Sequence, residues 1–198
     1  MKSNEAIAKK KQKYMKEEII IAGFGGQGVL SMGKILAYSA IMQDLEVTWM
    51  PSYGPEMRGG TANVCVIVSD RKISSPIITK YDTAIILNQQ SLDKFEDRVK
   101  PGGLLIYDPS GITRKPVRND ISICSIDAIE VAAEVGNAKV YNMAVLGAYL
   151  KMRAYLEMGN VVKGLEKSIP ARYSELIQKN REAIEKGMEK VKILSESN

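Results

Sequence analysis

The sequence predicts an α/β fold, a three-layer α/β/α domain with a mixed, mostly parallel sheet and a helical C-terminus. Three observations lead there. From Glu17 to Val135, short apolar runs stopped by glycine or polar residues alternate with segments of helical spacing. One link between two strand-like runs is about ten residues long, too short for the crossover that parallel strands need, so that pair is antiparallel. After Tyr141 the pattern is helical to the end. A chain of 198 residues suits one well-buried core, taking about 100 to 200 residues per domain. The expected division is a lysine-rich N-terminal extension over 1–16 and a single α/β domain over 17–198.

In chain order, EEIIIAGF from Glu17 reads as a buried strand ending in glycines, and VLSMGKILAYSAIM repeats apolar residues at helical spacing. EVTWMP, from Glu46 to Pro51, is a second strand, and PSYGPEMRGG is too rich in glycine and proline to continue it. TANVCVIVSD, from Thr61, is a third. Ser69-Asp70-Arg71-Lys72 is a turn leading into a short edge strand around Ile73. DTAIILN, a helix from about Ser91 to Val99, GGLLIYDPS, ISICSI and a helix from about Asp127 to Val135 continue the alternation. NMAVLGAYLKM is apolar on nearly every side, which suits the core or a subunit contact. Tyr173, Leu176, Ile177, Ile184, Met188 and Val191 form a stripe opposite lysines and glutamates, predicting an amphipathic helix lying on the domain.

Composition narrows the function. With 45% hydrophobic and 26% charged residues, no apolar run reaches the roughly 18 residues of a membrane span. No signal-peptide h-region is present, so a cytoplasmic chain without membrane attachment is expected. The formal charge of +5 is spread out except in KKKQKYMK, which reads as a solvated tail. Without neighbouring aromatics for base stacking, nucleic acid is not an expected partner. Cys65 and Cys124 lie far apart in strand-like runs, and no CxxC pair is available for a metal or an iron-sulfur cluster. The chain has no histidine, which removes Ser-His and Cys-His nucleophile pairs. No catalytic or metal-ligating set emerges, and any redox centre must come from elsewhere.

Gly23, Gly25 and Gly28 fit G-x-G-x-x-G between a strand and a helix, where free backbone N–H groups and the helix dipole favour an anion. A dinucleotide site also wants an acid at the end of the second strand. Asp44 and Glu46 precede that strand and fall at its opposite end, while its ligand-side end is Trp49-Met50-Pro51. Four loops should share the carboxyl edge of the sheet: GFGGQG, PSYGPEMRGG, NQQS and DPSG. They present Gln27, Arg58, Asn88, Gln89 and Ser91, with Ser91 also read as a helix N-cap. These groups hold polar, anionic molecules and make no acid-base pair or activated nucleophile. The bland alternative is that the glycines only let helix and strand approach closely, that Arg58 pairs with Glu56 or another carboxylate, and that Lys34 is a solvated helix lysine.

GFGGQGVLSMGK followed by SYGPEMRGGTANVCVIVSD resembles the gamma subunit of 2-oxoacid:ferredoxin oxidoreductases, whose shared pattern is GxGGQG, then Y-G-x-E-x-R-G-G running into a strand. The likeness continues through SSPII, NQQSLDKF, KPGGLLIYDPS and NMAVLGA, and covers Glu17 to Leu150. It implies a multi-subunit enzyme that oxidatively decarboxylates a 2-oxoacid, forms an acyl-coenzyme A and reduces ferredoxin. Thiamine diphosphate, with magnesium, would then sit on alpha and beta subunits, and iron-sulfur clusters on a ferredoxin-like subunit. By the same resemblance Gly25, Gly26, Gln27 and Lys34 face the phosphates of coenzyme A, with Arg58 nearby, and Gly23, Gly28 and Asn88 complete the candidate set. SYGPEMRGG, with methionine before the arginine, resembles the 2-oxoglutarate and branched-chain enzymes, of which 2-oxoglutarate is the expected substrate. The isolated chain is expected to be inactive, to bind partners stably and to self-associate without them. Two other readings stand beside this one: a self-sufficient nucleotide-dependent oxidoreductase, and a ligand-free interaction module.

Overall fold

The computed structural model describes residues 15–53 and 61–197. Among them seven strands form one sheet: β1 Lys16–Phe24, β2 Glu46–Tyr53, β3 Thr61–Ser69, β4 Tyr81–Ile86, β5 Val99–Tyr107, β6 Ser122–Ser125 and β7 Lys192–Ser195, in the order β2-β3-β1-β4-β5-β6-β7. The helices are α1 Val29–Ile41, α2 Gln89–Phe95, α3 Ala128–Glu134, α4 Tyr141–Met152, α5 Met158–Ser168 and α6 Glu175–Lys190. No helix among the described residues is long and apolar enough to cross a membrane.

β1 is central, flanked by β3 and β4, and Ile19, Ile20 and Ile21 are each 0% exposed. A strand covered on both faces needs an unbroken apolar run, which is what the sequence supplies. β2 pairs antiparallel with β3, from Glu46 opposite Ser69 to Tyr53 opposite Ala62, as the short link requires. β3 pairs antiparallel with β1, whereas β1, β4, β5 and β6 are joined by parallel pairs. The sheet is therefore mixed, and β1, β2, β4, β5 and β6 all run the same way, bringing their carboxyl ends to one edge.

The three layers are unequal. Side chains of α1, α3, α4, α5 and α6 pack with Ile19, Ile21, Val66, Ile85 and Ile106 on one face. On the other, α2 contributes Leu92 and Phe95 to a smaller cluster with Ile20, Ile86 and Leu105, completed by Ile78, Ile112 and Ile121 from extended segments. Ile73 does not lie in a strand. The chain is irregular from Arg71 to Lys80, where Pro76 lacks an N–H and the Ser74-Ser75 pair breaks any alternation. The last helix ends at Lys190, and Val191 turns out of it (ψ 132°) to lead into β7, which pairs antiparallel with β6. Val191 thus ends the apolar stripe as the entry to a strand that covers an otherwise open sheet edge.

α4 is buried along nearly its whole length, from Asn142 to Leu150, within this chain. It is a core helix rather than a subunit contact, so it gives no reason for self-association. α6 lies on it with backbones touching: a methyl group on Gly147 would collide with the Ile184 carbonyl, and one on Gly187 with the Ala144 carbonyl. Neither collision is relieved by a side-chain rotation. Gly187→Val is therefore expected to lower unfolding stability by about 3 kcal/mol or more, read from urea denaturation followed by circular dichroism.

At the amino edge of the sheet, successive β1 carboxylates point to opposite faces. Glu17 accepts from Thr83 Oγ1 (2.5 Å) and Arg153 Nε (3.0 Å), and burial still holds its pKa above the ordinary carboxylate value. Glu18 meets Lys100 (2.6 Å) and Lys16 (2.6 Å). Burial acts upward there too, but the lysine hydrogen bonds outweigh it and leave Glu18 below the ordinary value. A lowered carboxylate stabilises the fold above its unfolded-state pKa and loses that contribution as pH falls; a raised one acts in the opposite sense. Between neutral pH and about pH 3, Glu18→Gln should flatten the fall in urea midpoint and Glu17→Gln should steepen it.

Candidate functional site

β1 and β4 are adjacent and parallel, but the chain leaves them in opposite directions. After β1 it crosses through α1 toward β2, and after β4 it crosses through α2 on the other face toward β5. Their carboxyl ends therefore open into a crevice at a topological switch point, where ligands of such sheets bind. The glycine turn fills one side of that crevice.

The turn's geometry requires glycine at particular positions. Gly26 (φ +97°) and Gly28 (φ +73°) adopt left-handed backbone, which costs other residues about 1 kcal/mol or more. A methyl group on Gly23 would stand 2.6 Å from Gln27 Oε1 and 2.9 Å from Leu87 Cβ, and one on Gly28 would strike the Asn142 amide. Asn142 Nδ2 in turn donates to the Gly28 carbonyl at 3.2 Å. Gly25 and Gly26 are exposed, and space is open where a Gly26 side chain would project. No side chain caps the start of α1 and its first turn holds no acid, leaving N–H groups and the positive end of the helix dipole for an anion.

Gln27 ties the crevice together. Its Oε1 accepts from the Phe24 N–H at 2.6 Å and its Nε2 donates to the Leu87 carbonyl at 3.2 Å. Asn88 is fully buried and caps α2, its Oδ1 accepting from the Ser91 N–H at 2.8 Å. The cap is thus Asn88 and not Ser91, because the residue preceding the helix, with extended backbone (φ −153°), is the one able to reach back to that N–H.

Beside the turn lies a cleft of about 500 Å³, lined by Gly26 and Gln27 of the turn, by Ser110 and Tyr141, and by Ile129 and Ala133 of α3, which form an apolar wall. Tyr141 Oη and Asp108 Oδ2 are both buried, and the phenol lies beside the Asp108 carboxylate and the Ser110 side chain in contacts looser than an ordinary hydrogen bond. Burial, then the neighbouring Asp108 carboxylate, pushes the Tyr141 phenol far above its ordinary value, so it stays a neutral hydroxyl. Asp108 Oδ1 is occupied by the Ser110 N–H at 2.8 Å. No cluster of metal-binding side chains occurs among the described residues. The cleft can hold and orient a molecule through hydrogen bonds, and offers no nucleophile-base pair.

The structure thus brings Gly23, Gly25, Gly26, Gln27 and Gly28 together. Lys34 stands apart, exposed on the outer flank of α1 about 9 Å along the axis from Gly28, with Nζ 5.7 Å from the Tyr38 ring centroid. Arg58 lies outside the described residues. Tyr141, Ser110, Asp108 and Asn142 were not singled out from the sequence. Their signal lay in YDPS and in the first residues of YNMAVLGA, where a polar pair opens an otherwise apolar helix.

A family model described as pyruvate ferredoxin/flavodoxin oxidoreductase matches residues 18–190. The chain belongs to this family. It is 34% identical over 188 residues to the KorC subunit of 2-oxoglutarate synthase from Methanocaldococcus jannaschii, covering 93% of this chain and 99% of that one. It is 40% identical over 132 residues to the VorA subunit of ketoisovalerate oxidoreductase from Methanothermobacter thermautotrophicus, covering 67% of this chain but only 27% of that longer one. Among solved structures, the gamma subunit of a keto/oxoacid ferredoxin oxidoreductase from Geobacter sulfurreducens superposes with a TM-score of 0.77 at 29% identity, covering 89% and 96% of the two chains. The 2-oxoglutarate:ferredoxin oxidoreductase of Magnetococcus marinus, with 2-oxoglutarate, coenzyme A and succinyl-CoA bound, gives 0.77 at 25% identity over 87% of this chain and 30% of that one. Two substitutions test what holds the glycine turn and the cleft beside it. Gln27→Ala should cost about 1–3 kcal/mol of stability and raise hydrogen exchange at the Phe24 amide. Tyr141→Phe takes the phenol's proton away from the buried Asp108 carboxylate and should lower stability by about 1–3 kcal/mol in urea denaturation.

Proposed function

We propose that this chain is the gamma subunit of a multi-subunit 2-oxoacid:ferredoxin oxidoreductase and that it holds coenzyme A across the glycine turn. The observation that carries the proposal is the uncapped start of α1 beside the open Gly26, adjoining a cleft with an apolar wall. The pyrophosphate suits the free N–H groups of the turn, and Gly25, Gly26, Gln27 and Gly28 shape its seat. The pantetheine arm, with amide donors and aliphatic carbons, suits the cleft, whose lining combines the apolar α3 wall with the Ser110 and Tyr141 side chains. Gly23 and Asn88 act on this site through the backbone they position.

In the assembled enzyme the coenzyme accepts the acyl group left by oxidative decarboxylation. Thiamine diphosphate, magnesium and iron-sulfur clusters belong to alpha, beta and ferredoxin-like companions in this reading, in keeping with a cleft that offers binding groups only. 2-Oxoglutarate is the proposed substrate, because the likeness to the KorC subunit runs along the full length of both chains. The higher identity to VorA over a shorter stretch supports a branched-chain 2-oxoacid as the second reading. Comparing 2-oxoglutarate with ketoisovalerate as substrates of the reconstituted complex decides between them.

Steady-state kinetics on that complex, varying coenzyme A and oxoacid separately, test the coenzyme assignment. Ser110→Asp puts a carboxylate into the cleft and Arg58→Ala removes the cation of the SYGPEMRGG motif. Each should raise KM for coenzyme A by roughly ten- to a hundredfold with oxoacid KM unchanged. Unchanged coenzyme A dependence with impaired subunit association would make the loops an interface and refute the assignment.

A further inference from the structure

The glycine turn is held at both ends. Gln27 fixes the first through the Phe24 N–H and the Leu87 carbonyl. At the other end the Gly28 carbonyl accepts twice, from the Met32 N–H of α1 itself at 2.9 Å and from Asn142 Nδ2 at 3.2 Å. Asn142 sits in the first turn of α4, ahead of the apolar run MAVLGAYL, and is only 9% exposed. An asparagine at a helix start commonly caps its own helix, but no side chain caps α4. The Asn142 amide bonds instead to Gly28, 114 residues away in the chain. An apolar side chain at this position would carry no buried amide in need of a partner, so what asparagine adds is the donor to Gly28.

The Gly28 carbonyl shares a peptide plane with the Val29 N–H, and in a planar trans peptide the two point in opposite directions. Fixing one therefore aims the other. The Val29 N–H is the first of the free donors of α1: neither it nor the N–H of Leu30 or Ser31 has a partner among the described residues. Gly28 lies in left-handed backbone (φ +73°), and glycine is the residue with the most freedom to turn this peptide, so its direction needs an anchor. We propose that Asn142 is the positioning residue of the turn, holding the Gly28–Val29 peptide so that the Val29 N–H faces the crevice as a donor ready for an anion. The inference rests on the coenzyme reading above only for what that anion is, the pyrophosphate of coenzyme A. Asn142 acts through the peptide, from the core helix behind it, and does not touch the ligand.

The test compares Asn142→Leu, which keeps the size and removes the donor, and Asn142→Asp, which keeps the shape and turns a carboxylate toward the carbonyl, with Leu150→Ala. Leu150 is buried in the core about 12 Å farther along α4, so its truncation loosens the same helix and leaves the turn alone. In the full chain each variant is read by urea denaturation and by the exchange rate and nitrogen chemical shift of the Val29 amide, with and without inorganic pyrophosphate. In the reconstituted complex, kinetics vary coenzyme A and oxoacid separately. Both Asn142 variants should displace the Val29 amide signal and raise KM for coenzyme A about tenfold, with kcat and the oxoacid KM unchanged. Leu150→Ala should lower the urea midpoint and leave the Val29 signal and the coenzyme A KM as they are. In the unmodified chain pyrophosphate should shift the Val29 amide, and no response there would overturn the inference whatever the variants do. An unchanged coenzyme A KM in the Asn142 variants, while Ser110→Asp and Arg58→Ala still raise it, would overturn the positioning role and leave the coenzyme reading intact. So would a rise in coenzyme A KM that Leu150→Ala shares. Pyrophosphate binding weakened by the Asn142 variants, in a complex whose coenzyme A KM none of these substitutions moves, would uphold the positioning role and overturn the coenzyme reading.

Discussion

The exit of β4 at Leu87 is the point on which the carboxyl edge depends. Its carbonyl accepts from Gln27 Nε2 at 3.2 Å, its Cβ leaves no room for a side chain on Gly23, and Gly111 packs so closely that a methyl group there would strike the same carbonyl. One peptide therefore fixes the spacing of three segments: the glycine turn after β1, the start of α2 after β4, and the turn after β5. The contacts are backbone-to-backbone or use a short amide side chain, so little rotamer freedom is available to absorb a displacement. This rigidity sets the direction of α1 and hence the position of its free N–H groups.

The unequal layers follow from how the chain distributes its helices. Five pack on one face, where α4 and α6 touch through Gly147 and Gly187. On the other, an extended segment stands in for a helix, and one buried carboxylate organises it. Glu96, 4% exposed, accepts from the Val117 N–H at 2.5 Å and the Arg118 N–H at 3.2 Å and pairs with Arg114 at 3.0 Å. A buried charge is tolerable only when its lone pairs are filled in this way. Glu96 does for the segment after Gly111 what an apolar stripe does for a helix.

Most strands and helices were legible because their signals are local: Ile19–Ile21 can only be a doubly covered strand, and the link from Tyr53 to Thr61 is too short for a crossover. β7 was not, because Lys192–Ser195 has no pattern of its own and becomes a strand by finding β6 open beside it. The edge strand expected at Ile73 failed for the converse reason, a local apolar residue with no partner edge. At the site, the glycines were legible because left-handed backbone and close approach admit little else. Tyr141 and Asp108 were not, since their meaning comes from being buried side by side, which only the fold does.

The site's electrostatics order its parts without any catalytic group. The start of α1 is positive and uncapped, while Tyr141 beside it is kept neutral by burial and by the Asp108 carboxylate next to its phenol. An anion is thus favoured at the turn and gains nothing from the neutral, largely apolar cleft that adjoins it. The phenol in turn spares Asp108 from being a buried acceptor without a donor, a state that costs about 1–3 kcal/mol or more. Charge at the turn and neutrality beside it are both set by the chain's own groups.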